Sequence, residues 1–265
     1  MQENQLSITY VGGPTALLEI NGFRFLTDPT FDLPGEDYTT GPITLHKLIG
    51  PAINSEALAG IDAVLLSHDQ HFDNLDHKGR AFLANVSKVL TTEVAAARLG
   101  MNALGLPNWQ NVDLHSPDGQ IMRVTGTPTQ HGPRGRDRGP VTGFVLSPLN
   151  PPSEAIYVSG DSVWFEGTAE VAQKFNVRCA LLFMGAARVP AVGPYHLTMT
   201  AAEGVEAARA FSDATIVPLH FEGWAHLSES RETIAQEFEK TGLQGRVRWP
   251  EAGKMIAISS LAAAA

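Results

Sequence analysis

SHDQHFDNLD, residues 67–76, places two histidines, His68 and His71, among three aspartates, and Asn74 follows the second aspartate. The segment follows an apolar run, AVLL (63–66), whose length and composition predict a buried β-strand. Imidazole nitrogens and carboxylate oxygens are the common protein ligands of transition metals. A group this dense at the end of a strand therefore predicts a metal site.

Three more predicted strands end in a residue that can bind metal. The segments TGTPTQ, IYVSG and IVPL are followed by His131, Asp161 and His220, respectively. Strand ends at one edge of a sheet are rigid platforms, and a metal needs ligands held from several directions. We therefore expect these three residues to converge with the 67–76 segment.

The rest of the chain alternates short apolar runs with helical patterns. Strands are predicted near the N-terminus, and strand–helix units follow. Residues 92–100, 200–211 and 228–242 are predicted as helices, the second beginning with a capping box from Thr200 to Glu203 and the third with Ser228 as its N-cap. Residues 28–54 show no periodic pattern of apolar residues, which predicts an irregular wall or lid over a site.

Taken together, these motifs resemble the metallo-β-lactamase fold superfamily. ITYVGGPTALLEINGFRFLTDPTF (8–31) is similar to the family's opening hairpin and Asp-Pro turn, and YVSGD (157–161) to its strand that carries a bridging aspartate. MGAARVPAVGPYHLTMTAAEGVEAA (184–208) and VPLHFEGW (217–224) resemble the branch containing ascorbate-6-phosphate lactonase and N-acyl-phosphatidylethanolamine phospholipase D. The resemblance implies an α/β (α+β) fold, a four-layer αββα sandwich, over a single domain of residues 1–265.

The resemblance also implies a metal-dependent hydrolase. Its cofactor would be one or two divalent transition metals, zinc foremost, with manganese or iron as alternatives. The ligands carried over are His68, His71, Asp73, His131, Asp161 and His220. Asp161 would bridge two metals and Asp73 would orient the attacking water, whose pKa a metal lowers to about 7. The nucleophile would be this metal-activated hydroxide, and the substrate a small ester, lactone or phosphodiester, either neutral or anionic.

Further residues are candidates for contact with the substrate. His196 is a candidate to polarise the substrate or, alternatively, to begin a helix. His226 is a candidate for substrate binding or for orienting a ligand, and Arg134 for binding an anionic group. Asp28 is expected to form a turn or to support the ligands.

The sequence departs from the family pattern inside the first motif. Asn74 stands where the motif's last histidine is expected, and one residue is inserted between His68 and His71. Asn74 offers only a neutral oxygen, which predicts a weaker, empty or oxygen-rich second metal position. Two alignments remain open: Asp69 as first ligand, or His68 as first ligand with a bulge after it. Ligand chemistry favours His68, since three imidazoles are an established arrangement for activating water.

Composition limits the partners. A net charge of −9 argues against a polyanion partner, and no apolar run is long enough to span a bilayer. One cysteine, Cys179, and the absence of a signal-like N-terminus predict a cytoplasmic protein. We expect a small-molecule substrate, no nucleic acid and no membrane insertion, and a homo-oligomer stays open. The alternative function is a ligand-binding or regulatory protein with a degraded site; a nuclease is disfavoured by the acidic charge.

Overall fold

Two β-sheets face each other in the computed structural model, which describes residues 6–100, 102–150 and 153–258. The first sheet has seven strands in the order β15-β1-β2-β3-β6-β7-β8. Its members are β1 (Leu6–Gly12), β2 (Thr15–Ile20), β3 (Phe23–Thr27), β6 (Ala63–Leu65), β7 (Val89–Thr91), β8 (Ala103–Gly105) and β15 (Met255–Ile258). Strands β3, β6, β7 and β8 run parallel to one another.

The second sheet has six strands in the order β14-β13-β12-β11-β10-β9. Its members are β9 (Asn111–His115), β10 (Ile121–Thr127), β11 (Gly143–Pro148), β12 (Ala155–Val158), β13 (Val177–Phe183) and β14 (Thr215–Leu219). Strand β13 is buried along its whole length, as its mostly apolar sequence predicts for a central strand between parallel neighbours.

Helices cover the outer faces of both sheets. Apolar side chains from the two sheets form one shared core, which includes Leu18, Phe25, Phe144 and Leu181. The helices are α1 (His77–Phe82), α2 (Glu93–Leu99), α3 (Glu166–Lys174), α4 (Ala201–Ala210) and α5 (Arg231–Lys240). Helices α1 and α2 lie against the first sheet and α3 to α5 against the second, so the αββα layering expected from the sequence is confirmed.

A hairpin interrupts the segment that was expected to lack regular structure. It consists of β4 (Asp37–Thr40) and β5 (Ile43–His46), paired antiparallel. The expectation was wrong because the two strands are short and mostly exposed, so neither shows a clear apolar alternation. Tyr38 and Leu45 are the exceptions, and both pack on Trp224 of the loop after β14. The hairpin is thereby fixed to the rest of the molecule.

The helices predicted at 92–100 and 200–211 agree with α2 and α4, whereas α5 begins later than predicted and α1 was not predicted. The predicted capping box is present: Thr200 accepts a hydrogen bond from the Glu203 backbone, and the Glu203 side chain accepts one from the Thr200 backbone. The N-cap of α5 is Ser230, not Ser228, because Ser230 accepts from the backbone N–H of Thr233. None of the described helices is both long and apolar enough to cross a membrane.

Candidate metal centre

The candidate ligands follow strands whose C-terminal ends lie at a common edge. Strand β12 is parallel to β13 and β14, and β10 lies antiparallel to β11, which is itself antiparallel to β12. The ends of β10, β12 and β14 therefore point the same way and deliver His131, Asp161 and His220. In the facing sheet, β6 leads to His68 and the parallel strand β3 leads to Asp28.

Three histidines form the first cluster. His68 Nε2 lies 2.9 Å from His71 Nδ1, and His131 Nε2 lies 3.2 Å from the same atom. His131 Nδ1 lies 3.0 Å from the carbonyl oxygen of Leu197, which can only accept. The proton of this imidazole therefore sits on Nδ1, and the lone pair of Nε2 faces the cluster.

Burial keeps the first cluster neutral. It lowers the pKa of His131 to about 3, with the charge of His71 adding to the effect. Burial also lowers the pKa of His68 well below its usual value and, less strongly, that of His71. Three imidazoles that stay unprotonated at neutral pH offer three nitrogen lone pairs to a cation.

Two carboxylates and a histidine form the second cluster. His220 Nε2 lies 3.4 Å from Asp73 Oδ2 and 3.6 Å from Asp161 Oδ1. Both ring nitrogens of His220 are buried without a hydrogen-bond partner among the described residues. Burial raises the pKa of Asp161 to about 6, although the nearby His220 acts in the opposite direction. For Asp73, burial also raises the pKa, but His226 and His220 outweigh it and hold the pKa well below its usual value.

Asp161 lies between the two clusters. Its Oδ2 is 3.8 Å from His131 Nε2, while its Oδ1 faces His220. Within each cluster, the possible ligand atoms all lie within 4.8 Å of one another. Converging lone pairs, two buried carboxylates and unpartnered imidazole nitrogens fit a divalent metal in each cluster.

Asp69 points away from both clusters. Its carboxylate is buried and accepts hydrogen bonds from Arg98, with Nε 3.0 Å from Oδ2, and Arg80 lies 3.8 Å from it. Of the two alignments left open by the sequence, the structure has the geometry of the one that uses His68. The role of His68 as a metal ligand remains a prediction.

The structure separates the other candidates. His226 joins the second cluster, with its Nε2 2.9 Å from Asp73 Oδ2. His196 instead pairs with Glu203 at 3.1 Å, at the start of α4. The side chain of Arg134 is 89% exposed and lies 3.9 Å from Glu166. The structure therefore does not bring His196 or Arg134 to the clusters.

A mostly apolar cavity opens over the clusters. Its volume is about 40 Å³, and it opens to solvent. Besides His71, Asp73, His131 and His226, it is lined by Ile43, Leu45, Arg138, Ala187, Val189, Val192 and Leu197. The sequence pointed to the arginine loop but favoured Arg134 over Arg138. It also predicted a wall within residues 28–54, but not the hairpin in that segment that supplies Ile43 and Leu45.

Asn74 does not offer its oxygen to the second cluster. Its amide nitrogen lies 3.0 Å from Asp28 Oδ2 and 3.1 Å from Asp161 Oδ1. Two carboxylate oxygens accept hydrogen bonds, so the donor end of the amide must face them. The sequence predicted a weaker, empty or oxygen-rich second metal position, and in this geometry the donor end of Asn74, not its oxygen, faces Asp161.

Comparison with known proteins identifies the family of this chain. The family model described as the β-lactamase superfamily domain matches residues 23–221. The chain is 25% identical over 261 residues to the UPF0173 protein YddR of Bacillus subtilis, covering 94% of this chain and 98% of that protein. It is 28% identical over 219 residues to a UPF0173 metal-dependent hydrolase of Myxococcus xanthus, covering 75% of this chain and 69% of the relative.

A solved structure shares the fold. The isothiocyanate hydrolase from Delia radicum gut bacteria superposes with a TM-score of 0.79 at 23% identity, covering 96% of this chain and 99% of that chain. Fold and relatives define the class, which is that of the metal-dependent hydrolases. The chain belongs to the β-lactamase superfamily domain family.

Proposed function

We propose that this protein hydrolyses a small molecule by means of a metal centre built from both clusters. His68, His71 and His131 would hold one metal, and Asp73, Asp161 and His220 a second. The observation that carries the proposal is the convergence of the two clusters below a cavity lined mostly by apolar side chains. Zinc is the first candidate because the first cluster is all nitrogen, with manganese or iron as alternatives for the oxygen-rich second cluster.

When bound, the metals would act as Lewis acids and lower the pKa of a coordinated water to about 7. The chain's own residues would then position and protect the reactants. Asp73 would accept a proton or hydrogen bond from the attacking water, and His226, hydrogen-bonded to Asp73, would hold that carboxylate in place. The apolar wall would exclude bulk water, which strengthens the electrostatic interactions inside the cavity.

The cavity supports a substrate with a compact apolar group beside its reactive bond. Esters, lactones, phosphodiesters and thioesters meet this description when small, and so do isothiocyanates, the substrates named for the structural neighbour. Arg138 lines the cavity, and its guanidinium has no ion-pair partner among the described residues. We therefore propose that Arg138, rather than Arg134, binds a negatively charged group where the substrate carries one.

Two measurements test the hydrolase proposal. Elemental analysis should find one to two equivalents of a transition metal, and metal-loaded protein should turn over a member of the substrate classes above. Asp161→Ala should lower kcat/KM by more than about 100-fold, since even residues that only support a ligand cost 10–100-fold. Metal content that stays near zero after incubation with zinc, manganese and iron would contradict the proposal.

The anion-binding role of Arg138 has a matched control in the same loop. Arg138→Gln should raise KM for anionic substrates about tenfold or more while leaving neutral analogues unchanged, because only the charge-assisted contact is lost. Arg134→Gln should change neither, because the Arg134 side chain is 89% exposed and faces Glu166. An equal loss for neutral and anionic substrates would reject the role of Arg138.

We also propose a cytoplasmic location and a small-molecule partner rather than a nucleic acid. The net charge of −9 opposes binding to a polyanion. Burial raises the pKa of the Cys179 thiol to about 12, so this lone cysteine is unreactive. Cell fractionation checks the location.

A further inference from the structure

A buried asparagine connects two carboxylates that belong to different parts of the centre. Asn74 is fully buried, and its amide nitrogen has two hydrogens, directed to Asp28 at 3.0 Å and to Asp161 at 3.1 Å. Asp28 and Asp161 are buried as well. Water has little access to these carboxylates, so the amide supplies hydrogen bonds that solvent cannot.

Asp28 in turn orients a histidine of the first cluster through a serine. Ser67 donates its backbone N–H to Asp28 Oδ1 and its hydroxyl to Asp28 Oδ2, both at 2.6 Å. The hydroxyl oxygen lies 2.8 Å from His68 Nδ1. Since the single Ser67 hydroxyl proton is committed to Asp28, the oxygen accepts from His68 Nδ1–H. This assignment leaves His68 Nε2, the atom that faces His71, with its lone pair free.

We propose that Asn74 is a positioning residue that joins the two clusters. On one side it acts through Asp28 and Ser67 on His68, and on the other it holds Asp161 directly. Filling either cluster with a cation would fix the shared amide and reduce the ordering cost of filling the other. The inference rests on the proposed metal centre and adds a coupling between its two halves.

Two features of Asn74 favour this role over simple packing. Its carbonyl oxygen is buried without a hydrogen-bond partner among the described residues, an energetic cost that an apolar side chain of similar size would not carry. Its amide nitrogen also carries two hydrogens, one for each carboxylate. A serine could donate one hydrogen, and an aspartate would add a third carboxylate beside Asp28 and Asp161.

The experiment is a titration of metal-stripped protein with zinc, followed by isothermal calorimetry. Asn74→Leu removes both donors with little change in volume, and it should weaken binding of both zinc equivalents by about 10–100-fold, as loss of a ligand's supporting contact does. Asn74→Ser, which keeps one donor, should give an intermediate loss and serves if the leucine variant does not fold.

Asn102 supplies a matched control for the loss of two amide hydrogen bonds. Its amide nitrogen also donates to two acceptors, the carbonyl oxygens of Leu83 and Val86, and none of these three residues belongs to a cluster or lines the cavity above them. Asn102→Leu should lower the temperature of unfolding and leave both zinc affinities at the wild-type values. The control thereby distinguishes a general loss of protein stability from a specific loss of ligand positioning.

A double-mutant cycle tests the route to the first cluster. Ser67→Ala breaks the contact between Asp28 and His68, so adding Asn74→Leu to it should cause no further loss for the first equivalent while still weakening the second. Wild-type affinities in Asn74→Leu, or a loss confined to the second equivalent, would overturn the inference while leaving the hydrolase proposal standing. A wild-type protein that binds no zinc, manganese or iron would overturn both.

Discussion

At the scale of single residues, His68 and its neighbour Asp69 have opposite environments. The chain bends after β6 ends, at Ser67 and again at Asp69, and the side chains of His68 and Asp69 point in different directions. His68 faces His71 and His131, whereas Asp69 faces Arg98 and is almost fully buried. The arginine satisfies a carboxylate that would otherwise be an uncompensated buried charge.

Substitution of these two neighbours should therefore have different effects. His68→Ala should remove about one equivalent of bound metal, because it deletes a nitrogen of the first cluster. Asp69→Ala should retain the metal with an affinity reduced at most 10–100-fold. It should also lower the free energy of unfolding by about 1–3 kcal/mol, the cost of losing charge-assisted hydrogen bonds.

Metal analysis and urea unfolding of the two purified variants provide the measurement. The reverse pattern, in which Asp69→Ala is metal-free and His68→Ala keeps its metal, would establish Asp69 as the ligand. Arg98→Gln is the companion variant, since it should reproduce the stability loss of Asp69→Ala without touching either cluster.

At the scale of elements, the start of α4 explains what His196 does. Its Nε2 lies 3.1 Å from Glu203 Oε2, the same oxygen that accepts a hydrogen bond from the N-cap backbone of α4. Hydrogen bonding to Glu203 raises the pKa of His196 above 6.5. A protonated His196 therefore reinforces the capping box, and we expect its role to lie in the helix rather than at the reacting atoms.

The His196–Glu203 pair should make stability depend on pH. Because the folded-state pKa is the higher one, the contribution is fully present below the unfolded pKa of 6.5 and is lost as pH rises through the folded value. His196→Ala should thus destabilise the protein by at most about 1 kcal/mol at pH 5.5, given the partial exposure, and have a smaller effect at pH 9. Urea unfolding at both pH values measures this.

Glu203→Gln supplies the control, since glutamine retains the capping hydrogen bond but not the charge. In that background the pH-dependent part of the His196→Ala effect should disappear. A large fall in kcat for His196→Ala, with unchanged stability at both pH values, would instead indicate contact with the substrate.

The β4–β5 hairpin sets the width of the cavity. Tyr38 of β4 donates to Asp32 at 3.0 Å, and Asp32 also accepts from the backbone of His77 at the start of α1. Lys47, the residue after β5, is buried and pairs with Asp76 at 2.7 Å. Asp76 also caps α1 and accepts from the backbone of Phe31. These contacts make the hairpin a fixed wall rather than a loose lid.

Shortening a side chain of this wall should change substrate size preference. Ile43→Ala should lower KM for bulkier members of an accepted substrate series by about 5–10-fold, since a pocket discriminates added methylenes by roughly 1–3 kcal/mol. Leu48→Ala is the control, because Leu48 is exposed and does not line the cavity. An identical size profile for wild type and Ile43→Ala would show that the hairpin does not contact the substrate.

At the scale of the whole molecule, the sequence was sufficient for features encoded locally. The strands that lead to His68, Asp161 and His220 are mostly apolar and end within three residues of the candidate ligand, whereas the mixed strand β10 ends four residues before His131. Both the fold and the convergence at one edge could be predicted from this order of strands and polar residues. The choice of Arg138 over Arg134 could not be predicted, because both residues lie in one loop and only the placement of that loop distinguishes them. Likewise, the direction of the Asn74 amide depends on Asp28 and Asp161, which are distant in sequence.

The two clusters also carry an energetic cost in the metal-free protein. Burial lowers the pKa of His131 to about 3 and raises the pKa of Asp28 to about 7. The first shift makes the metal-free fold less stable toward acid, and the second makes it less stable toward neutral pH. For His131 the unfolded chain binds the proton more readily, and stability falls as pH drops from 6.5 toward 3. For Asp28 the folded chain binds it more readily, and stability falls as pH rises from 4 toward 7.

A metal bound by the folded chain alone should relieve both costs. Such binding stabilises by about 2.7 kcal/mol when free metal is 100 times its dissociation constant. Treatment with a chelator should therefore lower the unfolding temperature by several degrees, and zinc should restore it. In Asp161→Ala both changes should be smaller, because one ligand and the contact between the clusters are gone. Calorimetric scans of wild type and variant with chelator and with zinc make the comparison, and an unfolding temperature indifferent to both treatments in the wild type would mean that the clusters hold no metal.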